Sequence, residues 1–317
     1  IEFWEANGLP GSGWSVCQGF CYCVLDPTGK IDTRVQRPGK PDITEKGAKI
    51  RPKAPTGSKL EKGYYRAYKL TKNQIAEYER ILRLDTPTGQ AMLKRIGKTR
   101  NQVYSEFAKV RNKLANLGAT IDKYYNPKTK TWTKSRSALH QRIAEKIARK
   151  GKIKVDGKWV DFDLPIAKAG EQEFFMTGGY PGSGKSTMLD HAFPGWQKKF
   201  VHIDSDMVKQ LLAEADGIDN LGWRAAAYHE EASAVVKRIM NIARAENRHI
   251  LYDATMKSQG KAINLINEYI KRGYKISTAF ADLPMDQAVE RAIARFFGKS
   301  ARFVDPIYIV THGNQNI

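Results

Sequence analysis

From residue 173 onward, short apolar runs alternate with longer stretches in which apolar positions recur every three or four residues. The runs at 174–177, 200–204, 249–253 and 274–281 have the length and composition of buried strands. Residues 185–192, 206–214, 224–246, 258–272 and 285–297 carry the helical period. Alternation on this scale predicts an α/β fold, a parallel sheet flanked by helices. Upstream the pattern differs. Residues 1–70 are punctuated by Gly and Pro with little periodicity, which predicts a loop-rich segment. Thr71 can cap a helix bearing Ile75, Tyr78, Ile81 and Leu82. After a break at 85–89, one longer helix carries Met92, Ile96, Val103, Phe107, Val110 and Leu114, and stops at Gly118. A polar tract at 123–134 leads to a basic helix over 135–149, and alternation about Asp156-Gly157 predicts a hairpin within 152–163. The expected units are 1–70, loop-rich; 71–165, basic and helical with a hairpin; and 166–317, the α/β domain.

Charge sharpens that division. The chain has 317 residues and a formal net charge of +20. Residues 1–170 hold 35 Lys and Arg against 16 Asp and Glu, whereas 171–317 hold 18 against 17. Two units with different partners are expected. Hydrophobic residues at 41% describe a globular chain, and no run approaches the roughly 18 apolar residues of a membrane span. The opening Ile1–Glu5 carries no secretory leader pattern, and Cys17, Cys21 and Cys23 are a poor disulfide framework. These features give an expectation of a cytoplasmic protein with reduced thiols.

The strongest chemical signal is Gly179-Tyr-Pro-Gly182-Ser183-Gly184-Lys185-Ser186-Thr187, a full G-x4-G-K-[ST] phosphate loop between a predicted strand and a predicted helix. Glycines let the backbone wrap closely around phosphate oxygens, and the helix adds its positive N-terminal end. Lys185 is expected at the β and γ phosphates of a bound nucleotide, and the Ser186 hydroxyl on Mg²⁺. A similar stretch, Gly8–Gly13, has Trp14 where Lys185 stands and reads as a turn. The next strand delivers Asp204 and Asp206 to the same edge, where one carboxylate can take a proton from an attacking hydroxyl while the other orients it or helps hold the metal. The bland reading of Asp206 is a cap for the helix that follows. Asp253 ends the third strand, placed to support the metal's water shell, and Thr255 can hydrogen-bond an acceptor. Arg291, Arg295 and Arg302 bracket a break at Gly298 and could supply positive charge to a transferring phosphoryl group.

These pieces together resemble the zeta-toxin family of P-loop kinases over about residues 135–317. The resemblance is carried by the GG-x-PGSGKS loop at 178–186, Asp204-x-Asp206, Glu231-Ala-Ser233, Asp253-Ala-Thr255 and Gly273-Tyr274. It implies transfer of a phosphoryl group from ATP or GTP, with Mg²⁺, to a hydroxyl of a sugar nucleotide such as UDP-N-acetylglucosamine. It implies Asp206 as general base, Glu231 and Thr255 lining the acceptor pocket, Arg295 and Arg302 on the transferring phosphate, and an antitoxin partner. Ala254 replaces the family's usual Gly, and the two arginines stand closer than in the sugar-nucleotide kinases. Both departures fall on the acceptor side.

The basic half, interleaved with Tyr64, Tyr65, Tyr68, Tyr124, Tyr125 and Trp132, is the footprint of a nucleic-acid or other polyanion binder. The competing reading is a solvated basic surface. A polynucleotide kinase, and a nucleic-acid-associated or virion structural protein keeping a nucleotide-binding domain, are the alternatives to the small-molecule kinase.

Overall fold

A computed structural model of the chain describes residues 21–22 and 82–309, apart from 83, 156–157, 257–258 and 307–308. The expected loop-rich segment and its cysteines, apart from a two-residue strand β1 (Cys21–Tyr22), lie outside the described residues, as do the Gly8–Gly13 turn and the helix beginning at Thr71.

Two helices stand where the apolar pattern predicts one. Helix α1 (Pro87–Ile96) is capped by Thr86, whose hydroxyl accepts from the Gly89 N–H at 3.1 Å. It stops at Gly97, whose φ of 65° is left-handed and favours glycine. Helix α2 (Arg100–Leu117) then starts on a reciprocal box: Thr99 N–H donates to Gln102 Oε1 at 2.8 Å and Gln102 N–H donates to Thr99 Oγ1 at 3.2 Å. These cap signals outweigh the continuous apolar stripe. The polar tract supplies a short α3 (Thr120–Tyr124) and a pair of two-residue strands, β2 (Tyr125–Asn126) and β3 (Thr131–Trp132). The basic helix is α4 (Lys134–Arg149), and the predicted hairpin is β4 (Lys150–Val155) paired antiparallel with β5 (Lys158–Asp163).

The remaining elements alternate as the sequence predicts. They are β6 (Glu173–Gly179), α5 (Lys185–Ala192), β7 (Val201–Asp204), α6 (Ser205–Ala215), α7 (His229–Ala245), β8 (Ile250–Asp253), α8 (Gln259–Lys271), β9 (Lys275–Ala281) and α9 (Met285–Phe296). The 224–246 stretch is one turn more complex than predicted, because 3-10 helix Gly222–Tyr228 precedes α7. The sheet order is β1-β9-β6-β8-β7, with β9, β6, β8 and β7 parallel and β1 antiparallel at the edge.

Both faces of the sheet are covered, which explains its continuous apolar runs. Phe174, Met176, Val201, Ile203 and Ile250 pack with α4, α6, α7 and α8. Phe175, Leu251, Ala279 and Ala281 pack with Met188 and Leu189 of α5 and with Trp196. A third cluster joins α1 and α2 to α9 and to Phe303, through Leu93, Val103, Phe107, Val289 and Ile293. Among the described residues, no helix is long and apolar enough to cross a membrane.

Candidate active site

Strand β6 ends in the phosphate loop, and its register sets the site. Thr177 pairs with Asp253 of β8, and Asp253 pairs with Asp204 of β7, so the three residues form a row across the carboxyl ends of neighbouring strands. This is the edge at which parallel α/β sheets bind ligands. Gly179 and Gly184 take φ of 130° and 91°, and Gly184 is the N-cap of α5 with no side-chain hydrogen bond to its first turn. The first N–H groups of α5 are therefore left for an anion. A Cβ at Gly179 would come within 2.5 Å of the Ala281 carbonyl oxygen, so a side chain there is excluded by sterics as well as by φ. Ser183 Oγ is buried with no hydrogen-bond partner among the described residues, an orphaned hydroxyl suited to a phosphate oxygen.

Lys185 Nζ lies 3.3 Å from the Gly179 carbonyl oxygen, 3.4 Å from that of Tyr180 and 4.0 Å from Asp253 Oδ1. Burial pushes its pKa down, while Asp253 and Asp204 pull it up. Thr177 donates its hydroxyl to Asp253 Oδ1 at 2.8 Å. The strand ends at Asp204, which caps α6 by accepting the Asp206 N–H at 2.8 Å. The helix cap is thus Asp204, and the carboxylate of Asp206 is left for other partners: Lys209 Nζ at 3.0 Å and Arg302, with which it forms an ion pair. Burial raises the pKa of Asp204 and lowers that of Arg295. A buried carboxylate held against its preference for water is a place where a cation is welcome.

Gly182, Gly184, Lys185, Ser186, Thr187, Asp204, Asp206, Asp253, Thr255, Arg295 and Arg302 all line one cavity of about 980 Å³. Gly179 and Ser183 belong to the same loop and are buried, outside the cavity's lining. Arg291 reaches the loop, donating to the Gly182 carbonyl oxygen at 3.4 Å. Ser186, Asp204 and Asp253 line this same cavity and offer hard oxygen donors of the kind that Mg²⁺ takes. His202 also brings a ring nitrogen within 4.8 Å of the oxygens of those two aspartates.

Glu231 does not line the cavity. It is fully buried and binds Arg136, with Nη2 to Oε2 at 3.0 Å, and His140, with Nε2 to Oε1 at 2.6 Å. Arg136 also reaches Asp216 Oδ1 at 2.6 Å, so α4 is tied to α7 and to the end of α6. The structure does not bring Glu231, which the resemblance places in the acceptor pocket, to the cavity: its position on α7 continues the buried stripe of Val235 and Ile239. Burial opposes ionisation of Glu231, but His140 and Arg136 outweigh it and bring its pKa from an ordinary 4.5 to about 2. A depressed carboxylate contributes stability above its unfolded pKa and loses it as pH falls towards the folded one. Thermal stability is therefore expected to drop between about pH 4.5 and pH 2. Glu231→Gln flattens that dependence and lowers the melting temperature at pH 7, measured by circular dichroism.

The sequence reading missed two features. Lys209, three residues after Asp206 and therefore on the same helix face, supports the carboxylate. The cavity also extends along α7 and α8 to Ser233, Lys237, Asn241, Lys261 and Glu268. Ser233, Lys237 and Asn241 recur every four residues, which is a legible polar stripe once α7 is placed. Asp204→Asn makes a separable test: asparagine keeps the cap and removes a charge that burial disfavours. The melting temperature of the nucleotide-free protein is expected to hold or rise, while binding of Mg²⁺-nucleotide weakens in titration calorimetry.

The sequence profile of the Zeta toxin family matches residues 167–312. No curated protein matches the chain. Among solved structures, the AvrRxo1-ORF1:AvrRxo1-ORF2 complex is similar at 15% identity and a TM-score of 0.42, over 54% of this chain and 57% of that one. The same assembly solved with ATP gives a TM-score of 0.40 at 15% identity, over the same shares. The PezAT chromosomal toxin–antitoxin system of Streptococcus pneumoniae gives 17% identity and a TM-score of 0.31, over 46% of this chain and 56% of that one. The chain thus spans little more than half the length of these structures. The phosphate loop, the strand-end aspartates and the arginines Arg295 and Arg302 thus stand in one cleft of an α/β fold, within the residues 167–312 that are similar to the zeta-toxin family.

Proposed function

We propose that the chain is a phosphotransferase that moves the γ-phosphate of ATP or GTP to a hydroxyl of a nucleotide-linked small molecule, of the UDP-N-acetylglucosamine kind. One observation carries this reading: Lys185, Asp206, Arg295 and Arg302 line a single cavity that continues into a polar arm between α7 and α8. The loop N–H groups and Lys185 would hold the β and γ phosphates, with Gly179, Gly182, Gly184 and Ser183 shaping the cradle and Thr187 beside it. Asp206 would accept the proton of the acceptor hydroxyl as its oxygen attacks the γ-phosphorus and the β–γ bridging bond breaks, releasing the nucleoside diphosphate. Thr255 and the residues of the polar arm would orient the acceptor. Arg295 and Arg302 would stabilise charge on the transferring group. Bound Mg²⁺ would neutralise phosphate charge, held by Ser186 with Asp204 and Asp253. On this reading 166–317 performs the transfer. The family match also supports an antitoxin that restrains it, and the charge of 1–165 supports a polyanion as a further partner.

The test incubates the full chain with γ-labelled ATP or GTP, Mg²⁺ and either UDP-N-acetylglucosamine or a single-stranded oligonucleotide. Label on the sugar nucleotide supports the proposal. Label only on the oligonucleotide replaces it with polynucleotide kinase activity, and label on neither, with oligonucleotide binding retained, leaves a nucleic-acid-binding scaffold.

A further inference from the structure

Helix α2 lies upstream of the matched family region, which begins at residue 167, yet it grips the segment that carries Arg302. Arg111 of α2 faces Asp305 with both ends of its fork: Nε to Oδ2 at 2.8 Å and Nη2 to Oδ1 at 3.1 Å. Asp305 is fully buried, and the Arg111 side chain is only 10% exposed. One turn earlier on the same helix, Phe107 packs against Phe303 and Phe296, with ring centroids 5.6 and 5.8 Å apart. Residues 301–305 are neither helix nor strand, so no backbone ladder fixes their path. Phe303 and Asp305, one and three residues after the arginine that reaches Asp206 in the cavity, anchor that path instead.

We propose that Arg111 and Phe107 are positioning residues for the transfer reaction: through Asp305 and Phe303 they set where the guanidinium of Arg302 stands. A fork-to-carboxylate pair fixes orientation as well as distance, which a lysine cannot reproduce. A buried carboxylate that loses its fork does not keep its place. The arginine that meets the transferring phosphate is thereby placed by an element outside the α/β domain. This rests on the kinase reading above, and the experiment separates the two.

In the full chain, affinities for ATP and for ADP are measured with Mg²⁺ by titration calorimetry, alongside turnover in the transfer assay and melting by circular dichroism. If Arg302 meets the γ-phosphate, the unaltered chain prefers ATP to ADP, and Arg302→Lys reduces that preference. Arg111→Lys is expected to reduce the ATP preference about tenfold with ADP affinity unchanged. It is also expected to cut turnover by up to about 100-fold, as a small misplacement of a charged group does. In the Arg302→Lys background the same change is expected to cost little more, because both act on one guanidinium. Asp305→Asn keeps the shape and one oxygen for the fork, so it should fold if Arg111→Lys does not, and should show a smaller version of the same loss. Unchanged ATP preference in both folded variants overturns the proposal, as does a full additional loss in the Arg302→Lys background. An unaltered chain that binds neither nucleotide overturns the kinase reading, and the proposal with it.

Discussion

Asp206→Asn is expected to slow phosphoryl transfer by two to four orders of magnitude, the range that a positioned general base supplies. The substitution keeps side-chain volume and an oxygen for Lys209, which approaches at 3.0 Å, but it removes the carboxylate that on this reading takes the acceptor's proton. The helix itself is secure, because its cap is the neighbouring Asp204. Nucleotide affinity should therefore change little, since the loop, Lys185 and the first turn of α5 are untouched. Single-turnover rates with γ-labelled nucleotide, set beside calorimetric affinities, separate the two effects. Turnover close to that of the unaltered chain would remove Asp206 from the chemistry and leave it as a counter-ion for Arg302 and Lys209.

Arg302→Met should be as damaging or more so, by about three to five orders of magnitude in turnover, if its guanidinium supplies charge to the transition state as arginine fingers do. In this structure that guanidinium is paired with Asp206. The pairing matches the two charges, and a γ-phosphate in the cavity would compete with the carboxylate for the arginine. The two residues should then behave as a unit. The double variant Asp206→Asn/Arg302→Met is expected to lose far less than the product of the single losses. Strictly multiplicative losses would show that the two groups act on separate steps.

The parts of this protein that are legible in its sequence are those whose cause is local. Apolar runs such as Phe174–Met176 mark strands buried on both faces, and the phosphate loop is one contiguous segment whose glycines and lysine must stand together. Even the break between α1 and α2 has a local cause in Gly97 and Thr99, although the apolar stripe running through it hides that break. Glu231 is different. An acidic residue opening a helix beside a predicted pocket reads as a ligand contact, and only the arrival of Arg136 and His140, more than 90 residues away in the chain, turns it into a buried strut. Asp305 is the same kind of case, since its partner lies 194 residues upstream. Non-local ion pairs leave no period in a sequence, so the charge count of the basic half could suggest a polyanion partner but not that α2 holds the arginine segment.

The most direct measurement is a crystal structure of the full chain with Mg²⁺ and a non-hydrolysable ATP analogue. The account predicts the triphosphate threaded along the loop, its terminal phosphate touching Lys185 and an arginine from 295 or 302, with Asp206 facing that phosphate from the side open to α7 and α8. A triphosphate bound elsewhere, or Asp206 turned away from its terminal phosphate, would contradict it.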